Sequence, residues 1–148
     1  MTIFIGADHR GFALKEELLE YLQSKNIRVE DMGSYEYNAT DDYADFARPV
    51  AQAVLQNPTD YRGIVICGSG IGVSEVANRF KGIYCALGFD ERQVEHGRTH
   101  DNINVLALPS DYIDTEKAQR MVDIFIETAA NVGEKYDRRQ QKLDQPTV

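Results

Sequence analysis

Two spacings of apolar residues divide the chain. Thr2 to Ala7 is a short apolar run that predicts a buried strand, ending in Asp8-His9-Arg10-Gly11. Leu14, Leu18 and Leu22 then recur every four residues, which predicts a helix with Lys15, Glu16, Glu17 and Glu20 mostly outside its buried stripe. Asn26 punctuates, Ile27 to Glu30 reads as a second strand, and Met32-Gly33-Ser34 turns out of it. Ser34 to Asp42 has no period and is expected to be a loop. Tyr43 to Val54 returns to helical spacing through Phe46, Val50, Ala53 and Val54, and Asn57-Pro58 stops it. Gly63 to Cys67 is an apolar strand that runs into glycines at 68, 70 and 72, followed by a helix over Val73 to Phe80 that Gly82 breaks. Ile83 to Phe89 is nearly all apolar, as expected of a strand covered on both faces. Asp90 is a suitable N-cap for a helix through Arg98. Asn104 to Leu108 is a fifth strand ahead of Pro109. Thr115 to Thr128 carries an amphipathic stripe of Ala118, Met121, Val122, Phe125 and Ile126; beyond Gly133, Glu134 to Lys142 is a polar, charge-dense helix before a ragged tail.

Strand and helix thus alternate five times. That is the pattern of a three-layer α/β protein: a doubly wound, five-stranded parallel sheet of Rossmann-like type, whose ligands sit at the carboxyl ends of the strands. The 148 residues suit one domain, residues 1–148, with no internal repeat. No apolar run reaches the ~18 residues that span a bilayer, and no signal-peptide pattern is present, so no membrane partner is expected. Two separated cysteines outside any C-x-x-C suggest free thiols and a cytoplasmic protein. The net charge of −8 argues against nucleic acid as a partner, and any bound anion must be held by local cations or backbone amides.

The glycine loop is the chemical centre of the sequence. A strand entering a helix there gathers unpaired N–H groups and the positive end of a helix dipole, beside the thiol of Cys67 and the hydroxyl of Ser69. A dinucleotide fingerprint would need G-x-G-x-x-G, but Gly72 comes one position early, and no G-K-[ST] makes a P-loop. A free cysteine is often only a small buried hydrophobe. An ordinary thiol is only ~3% ionised at pH 7, so a base at this position needs surroundings that favour the thiolate. Cys85, inside a strand, reads as packing. His96 and His100 share a helix face, but Gly97 stands where an H-E-x-x-H has glutamate, so metal binding is the weaker reading. His100, at the mouth of the fifth strand with Asp101 and Asn102, is better suited to donating protons. Arg138, Arg139 and Lys142 form the one concentrated basic patch, on a helix without an apolar stripe, which suits lying across another subunit.

Gly6-Ala7-Asp8-His9-Arg10-Gly11-Phe12, Cys67 to Gly72 with Ala77 to Ile83, and His100 to Leu106 together resemble the ribose-5-phosphate isomerase B family, which also contains galactose- and allose-6-phosphate isomerases. The resemblance runs in the same order over nearly the whole chain, including the tail at Arg138 to Lys142. It implies an aldose–ketose isomerase that uses neither metal nor organic cofactor and acts as a homodimer, with a tetramer of paired dimers as the alternative. Cys67 would be the base moving a proton between C2 and C1, and Ser69 would assist transfer between the two oxygens. The amides of Gly68, Gly70, Ile71 and Gly72 would hold the enediolate. His100 would open the sugar ring, helped by Asp8. Tyr43 would line the sugar, and His9, Arg138 and Lys142 would hold phosphate, some of them from the other subunit. Two departures bear on the substrate. Relatives read His-Asn-Asp where this chain has His100-Asp101-Asn102, making Asp101 the substrate-facing residue unless the loop shifts. Many also carry arginine where Asp111 stands, a loss that would weaken phosphate binding unless Arg139 compensates. The expected reaction is ribose 5-phosphate to ribulose 5-phosphate; the alternatives are a six-carbon aldose phosphate or a non-catalytic sugar-phosphate binder.

Overall fold

The computed structural model describes residues 1–145. In chain order these form β1 (Thr2–Ala7), α1 (Phe12–Ser24), β2 (Val29–Asp31), α2 (Tyr43–Gln56), β3 (Tyr61–Cys67), α3 (Ile71–Ala77), β4 (Cys85–Leu87), α4 (Glu91–Asp101), β5 (Val105–Pro109), α5 (Thr115–Glu127) and α6 (Glu134–Leu143). The strands make one parallel sheet in the order β2-β1-β3-β5-β4. One face carries α1, α4 and α5 over Ile3, Ile5, Ile64, Ile66, Leu106 and Leu108; the other carries α2 and α3 over Phe4, Val65, Val105 and Ala107. Period-two alternation along β1, β3 and β5 therefore feeds both cores at once. The winding reverses between β1 and β3, and that crevice at the carboxyl edge is where such sheets take ligands.

The predicted elements are all present, with boundary shifts that have local causes. The second strand runs over Val29–Asp31 rather than from Ile27 to Glu30. Lys15, expected outside the stripe of α1, is fully buried, because Asp31 on β2 and Glu16 accept its ammonium at 2.7 and 2.9 Å. The fourth strand is not an interior strand. It shortens to Cys85–Leu87 at the sheet edge and stays half-buried. Its outer backbone is paired instead by the Asn78 side chain, which donates to Cys85 O and accepts from Cys85 N, both at 2.9 Å. Recruiting Asn78 ends α3 at Ala77, short of Phe80. Asp90 caps α4 as expected, accepting from the N–H groups of Arg92 and Gln93. That helix continues past Arg98 to Asp101, where Asn102 closes it in the left-handed region at φ 49°. Arg98 is buried there, donating to Asn102 Oδ1 at 2.9 Å and Thr128 O at 3.2 Å; burial pushes its pKa down to about 10.

Helix α6 buries no residue of its own. It is tied down by Gln140, which donates to Asp101 O at 2.9 Å, and just beyond its end by Asp144, which accepts from Tyr84 Oη at 2.6 Å and Gly82 N at 3.2 Å. The ragged tail expected beyond Lys142 falls partly on residues 146–148, which lie outside the described residues. Among the described residues no helix is long and apolar enough to cross a membrane.

Candidate active site

At the winding reversal, β1 and β3 end side by side. Ala7 is in register with Ile66, and Asp8 N donates to Ile66 O at 3.2 Å, so Asp8 and Cys67 leave adjacent strands together. Alternation points both toward the α2/α3 layer, the side on which Phe4 and Val65 pack. Asp8 is 5% exposed and its Oδ1 accepts from Arg10 N and Gly11 N at 3.0 and 3.1 Å. Burial raises its carboxyl pKa above the ordinary value, with those two N–H groups and His9 pulling the other way. Cys67 is 4% exposed, and its carbonyl is pinned by the backbone N and Oγ of Ser110 at 3.0 and 3.1 Å.

Each glycine of the loop has its own reason. Gly70 enters α3 with φ 71°. Gly72 lies under the ring of Tyr43, the first residue of α2, where a Cβ would come within 2.7 Å of Cζ. Gly68 lies under an ion pair: a Cβ there would sit 2.5 Å from Arg10 Nε and 2.7 Å from Asp111 Oδ2. The Ser69 hydroxyl takes the Ile71 N–H at 3.2 Å, so of the expected amides that of Ile71 already has an acceptor. The remaining N–H groups of the first turn of α3 have no intrahelical partner.

Two residues here went unnoticed in the sequence. Arg10 donates to Asp111 through Nε at 3.0 Å and through Nη2. Asp41, from the loop before α2, accepts from both His9 N at 2.9 Å and His9 Nδ1 at 2.7 Å. Its side chain is 7% exposed, and its Oδ2 is buried with no hydrogen-bond partner among the described residues. Asp8, His9 and Asp41 bring ligand-type atoms within 4.8 Å of one another, but the His9–Asp41 bond already uses two of the atoms an ion would need.

Four of the predicted residues do not join this group within one chain. His100 sits in the last turn of α4, just ahead of Val105, and Val105 pairs with Gly63 at the amino end of β3. Cys67 pairs with Pro109 at the other end. The mouth of the fifth strand is therefore the edge opposite the glycine loop, and His100 does not meet Asp8. His100 stacks on His96 with ring centroids 4.8 Å apart and faces the Tyr136 ring at 6.2 Å. Asp101 and Asn102 are both exposed beside it, and Asn102 Oδ1 accepts from Arg98 at 2.9 Å. Arg138 and Lys142 are exposed on α6, which packs against α4. The cavity of about 910 Å³ also lies at this side, lined in part by Arg79, Tyr84, Cys85, Asp101 and Asp144. Burial pushes the Cys85 thiol up to about 12, so it stays neutral.

Comparison with known proteins supplies the family. The pattern of the family described as Ribose/Galactose Isomerase matches residues 3–143. The chain belongs to this family. It is 40% identical over 143 residues to the probable ribose-5-phosphate isomerase B of Mycoplasma genitalium, covering 97% of this chain and 91% of that protein. It is 35% identical over 148 residues to ribose-5-phosphate isomerase B of Escherichia coli, covering 99% and 94%. Among solved structures, the Mycoplasma genitalium protein with bound ribulose-5-phosphate superposes with a TM-score of 0.91 over 97% of this chain and 93% of that one, at 40% identity. The isomerase of Thermotoga maritima gives a TM-score of 0.91 at 41% identity, covering 97% of each chain. Family membership thus extends through α6, the element that leaves its basic residues unpartnered by the glycine loop.

Proposed function

We propose that this member of the family is a cofactor-independent aldose–ketose isomerase that interconverts ribose 5-phosphate and ribulose 5-phosphate through an enediolate. The observation that carries the reading is the pairing of Asp8 and Cys67 on adjacent strand ends, one residue from a glycine loop that opens a helix. Relatives named for this reaction at 35–40% identity support the substrate.

The chemistry moves hydrogen within the sugar and needs no electron acceptor. Cys67, as thiolate, removes the proton from C2. The electrons move into an enediolate, and the protonated sulfur returns a proton to C1. Ser69 carries a proton between the two oxygens. Loop amides hold the charge that develops on them, each preorganised donor being worth roughly 10²–10³ in rate. Ring opening needs a proton donor, and His100 of a second copy suits that role with Asp8. Asp101, Arg138 and Lys142 reach the same site from that copy, which makes the enzyme a homodimer of one-domain subunits with α6 at the interface. His9 and Tyr43 complete the sugar site from the first copy. With Cys67 4% exposed, the reading requires the rim of Tyr43 and Arg10 to part for substrate.

A coupled assay tests this directly. Cys67→Ala should abolish turnover of ribose 5-phosphate with an unchanged circular dichroism spectrum; near-normal activity would remove the assigned base. The family description also covers galactose isomerases. Allose and galactose 6-phosphates in the same panel separate the six-carbon reading, and binding without turnover by the unmodified protein would select the non-catalytic one.

A further inference from the structure

We propose that Arg10 is the residue that grips the substrate's phosphate from the glycine-loop side, an assignment that rests on the isomerase reading above. Three observations lead there. The first is placement: Arg10 follows β1 at the winding reversal, and its guanidinium lies directly over the Cα of Gly68 in space that any Cβ would occupy. Absence of a side chain at that position is what lets a cation reach the rim of the amide loop.

The second is that Arg10 is held as a built feature. Its backbone N–H donates to Asp8 Oδ1 at 3.0 Å, and its carbonyl accepts from Ser110 Oγ at 2.9 Å. Asp111, whose own N–H donates to Gly68 O at 3.0 Å, fixes the guanidinium. Both Arg10 hydrogen bonds go to one oxygen, Asp111 Oδ2, and come from the Nε/Nη2 side of the fork. The end formed by Nη1 and the second Nη2 hydrogen has no partner among the described residues, and that pair of N–H groups matches two oxygens of a phosphate.

The third is charge. A protein of net charge −8 repels an anionic substrate at long range, so local cations or backbone amides must hold it. Arg138 and Lys142 of the same chain lie at the opposite edge of the sheet, whereas Arg10 is already beside Asp8 and Gly68. At this crevice the chain sets the carboxylate of Asp111 on the β5 side and the guanidinium of Arg10 across from it on the β1 side.

A phosphate keeps its charge throughout the reaction, so its ligand contributes equally to substrate and transition state. Arg10→Ala should therefore raise KM for ribose 5-phosphate about 10- to 100-fold, as for loss of hydrogen bonds to a charged group, while kcat stays within about threefold. Arg10→Lys should fall between, keeping charge without the fork. The double variant Arg10→Ala with Asp111→Arg returns a cation to the crevice and should recover most of the lost KM. An unchanged KM in Arg10→Ala, or a fall in kcat with KM unmoved, would overturn the assignment. Calorimetric titration with inorganic phosphate provides a readout independent of turnover. Arg10→Ala should weaken phosphate by a similar factor, and equal affinity in both proteins refutes the proposal. If the unmodified protein binds phosphate through Arg10 yet isomerises no sugar, the isomerase reading fails and the Arg10 assignment stands.

Discussion

Mixing two inactive variants tests whether each catalytic site is shared between chains. Cys67 stands at the carboxyl end of β3, opposite Pro109, while His100 precedes Val105, which faces Gly63. Four residues separate these levels, about 13 Å along the sheet at ~3.3 Å per residue. Proton transfer needs heavy atoms within about 3 Å, so one pentose cannot meet Cys67 and His100 of the same chain. Cys67→Ala and His100→Ala homodimers should each be nearly inactive. In a mixed dimer, one site combines the intact Cys67 of one chain with the intact His100 of the other, and the second site lacks both. Random exchange puts half the dimers in the mixed state with one of two sites working, so about one quarter of wild-type activity should return. The assay is partial unfolding in urea, joint refolding, and coupled measurement of ribulose 5-phosphate, with differently tagged chains co-purified to prove exchange. If the site were built within one chain, every site in the mixture would lack one residue. Co-purified mixed dimers without activity would refute the shared site.

Other expectations concern the groups that frame the site. Lys15→Ala removes a fully buried stem and leaves Asp31 without its ammonium, which should cost about 3 kcal/mol, or roughly 6–12 °C in Tm; a fall below about 2 °C would show the pair to be dispensable. Asp8→Asn should stabilise the fold at neutral pH while removing most activity. Burial raises the Asp8 pKa in the folded state above its unfolded value of 3.8, so the native state binds the proton more tightly. Its contribution to stability is therefore lost as pH rises through the raised pKa. The advantage of Asp8→Asn should accordingly be largest at pH 7 and vanish below about pH 4; thermal melts across that range would contradict the argument if the gain were constant or grew with acid.

Much of this molecule could be read from residue spacing. The four-residue recurrence of Leu14, Leu18 and Leu22, and the apolar runs ending at Ala7 and Cys67, depend only on local periodicity and on which faces must be buried, so they survive into the structure unchanged. The same is true of the placement of Asp8, Cys67 and Gly68 to Gly72, because a strand end, a tight turn and a helix start are all local events. Quantities set by neighbours distant in sequence were different. Whether Ile83 to Phe89 is central or edge depends on strand order, and strand order placed it beside β5 alone. Lys15 is buried because β2 brings Asp31 to it, 16 residues away. Arg10 finds Asp111 across 101 residues, and Asp41 reaches back 32 to His9. Above all, a helix that follows a parallel strand must return its chain to the opposite edge of the sheet. That crossover carries His100 away from Cys67 in the same chain, a separation that no motif spacing encodes and that only the folded topology decides.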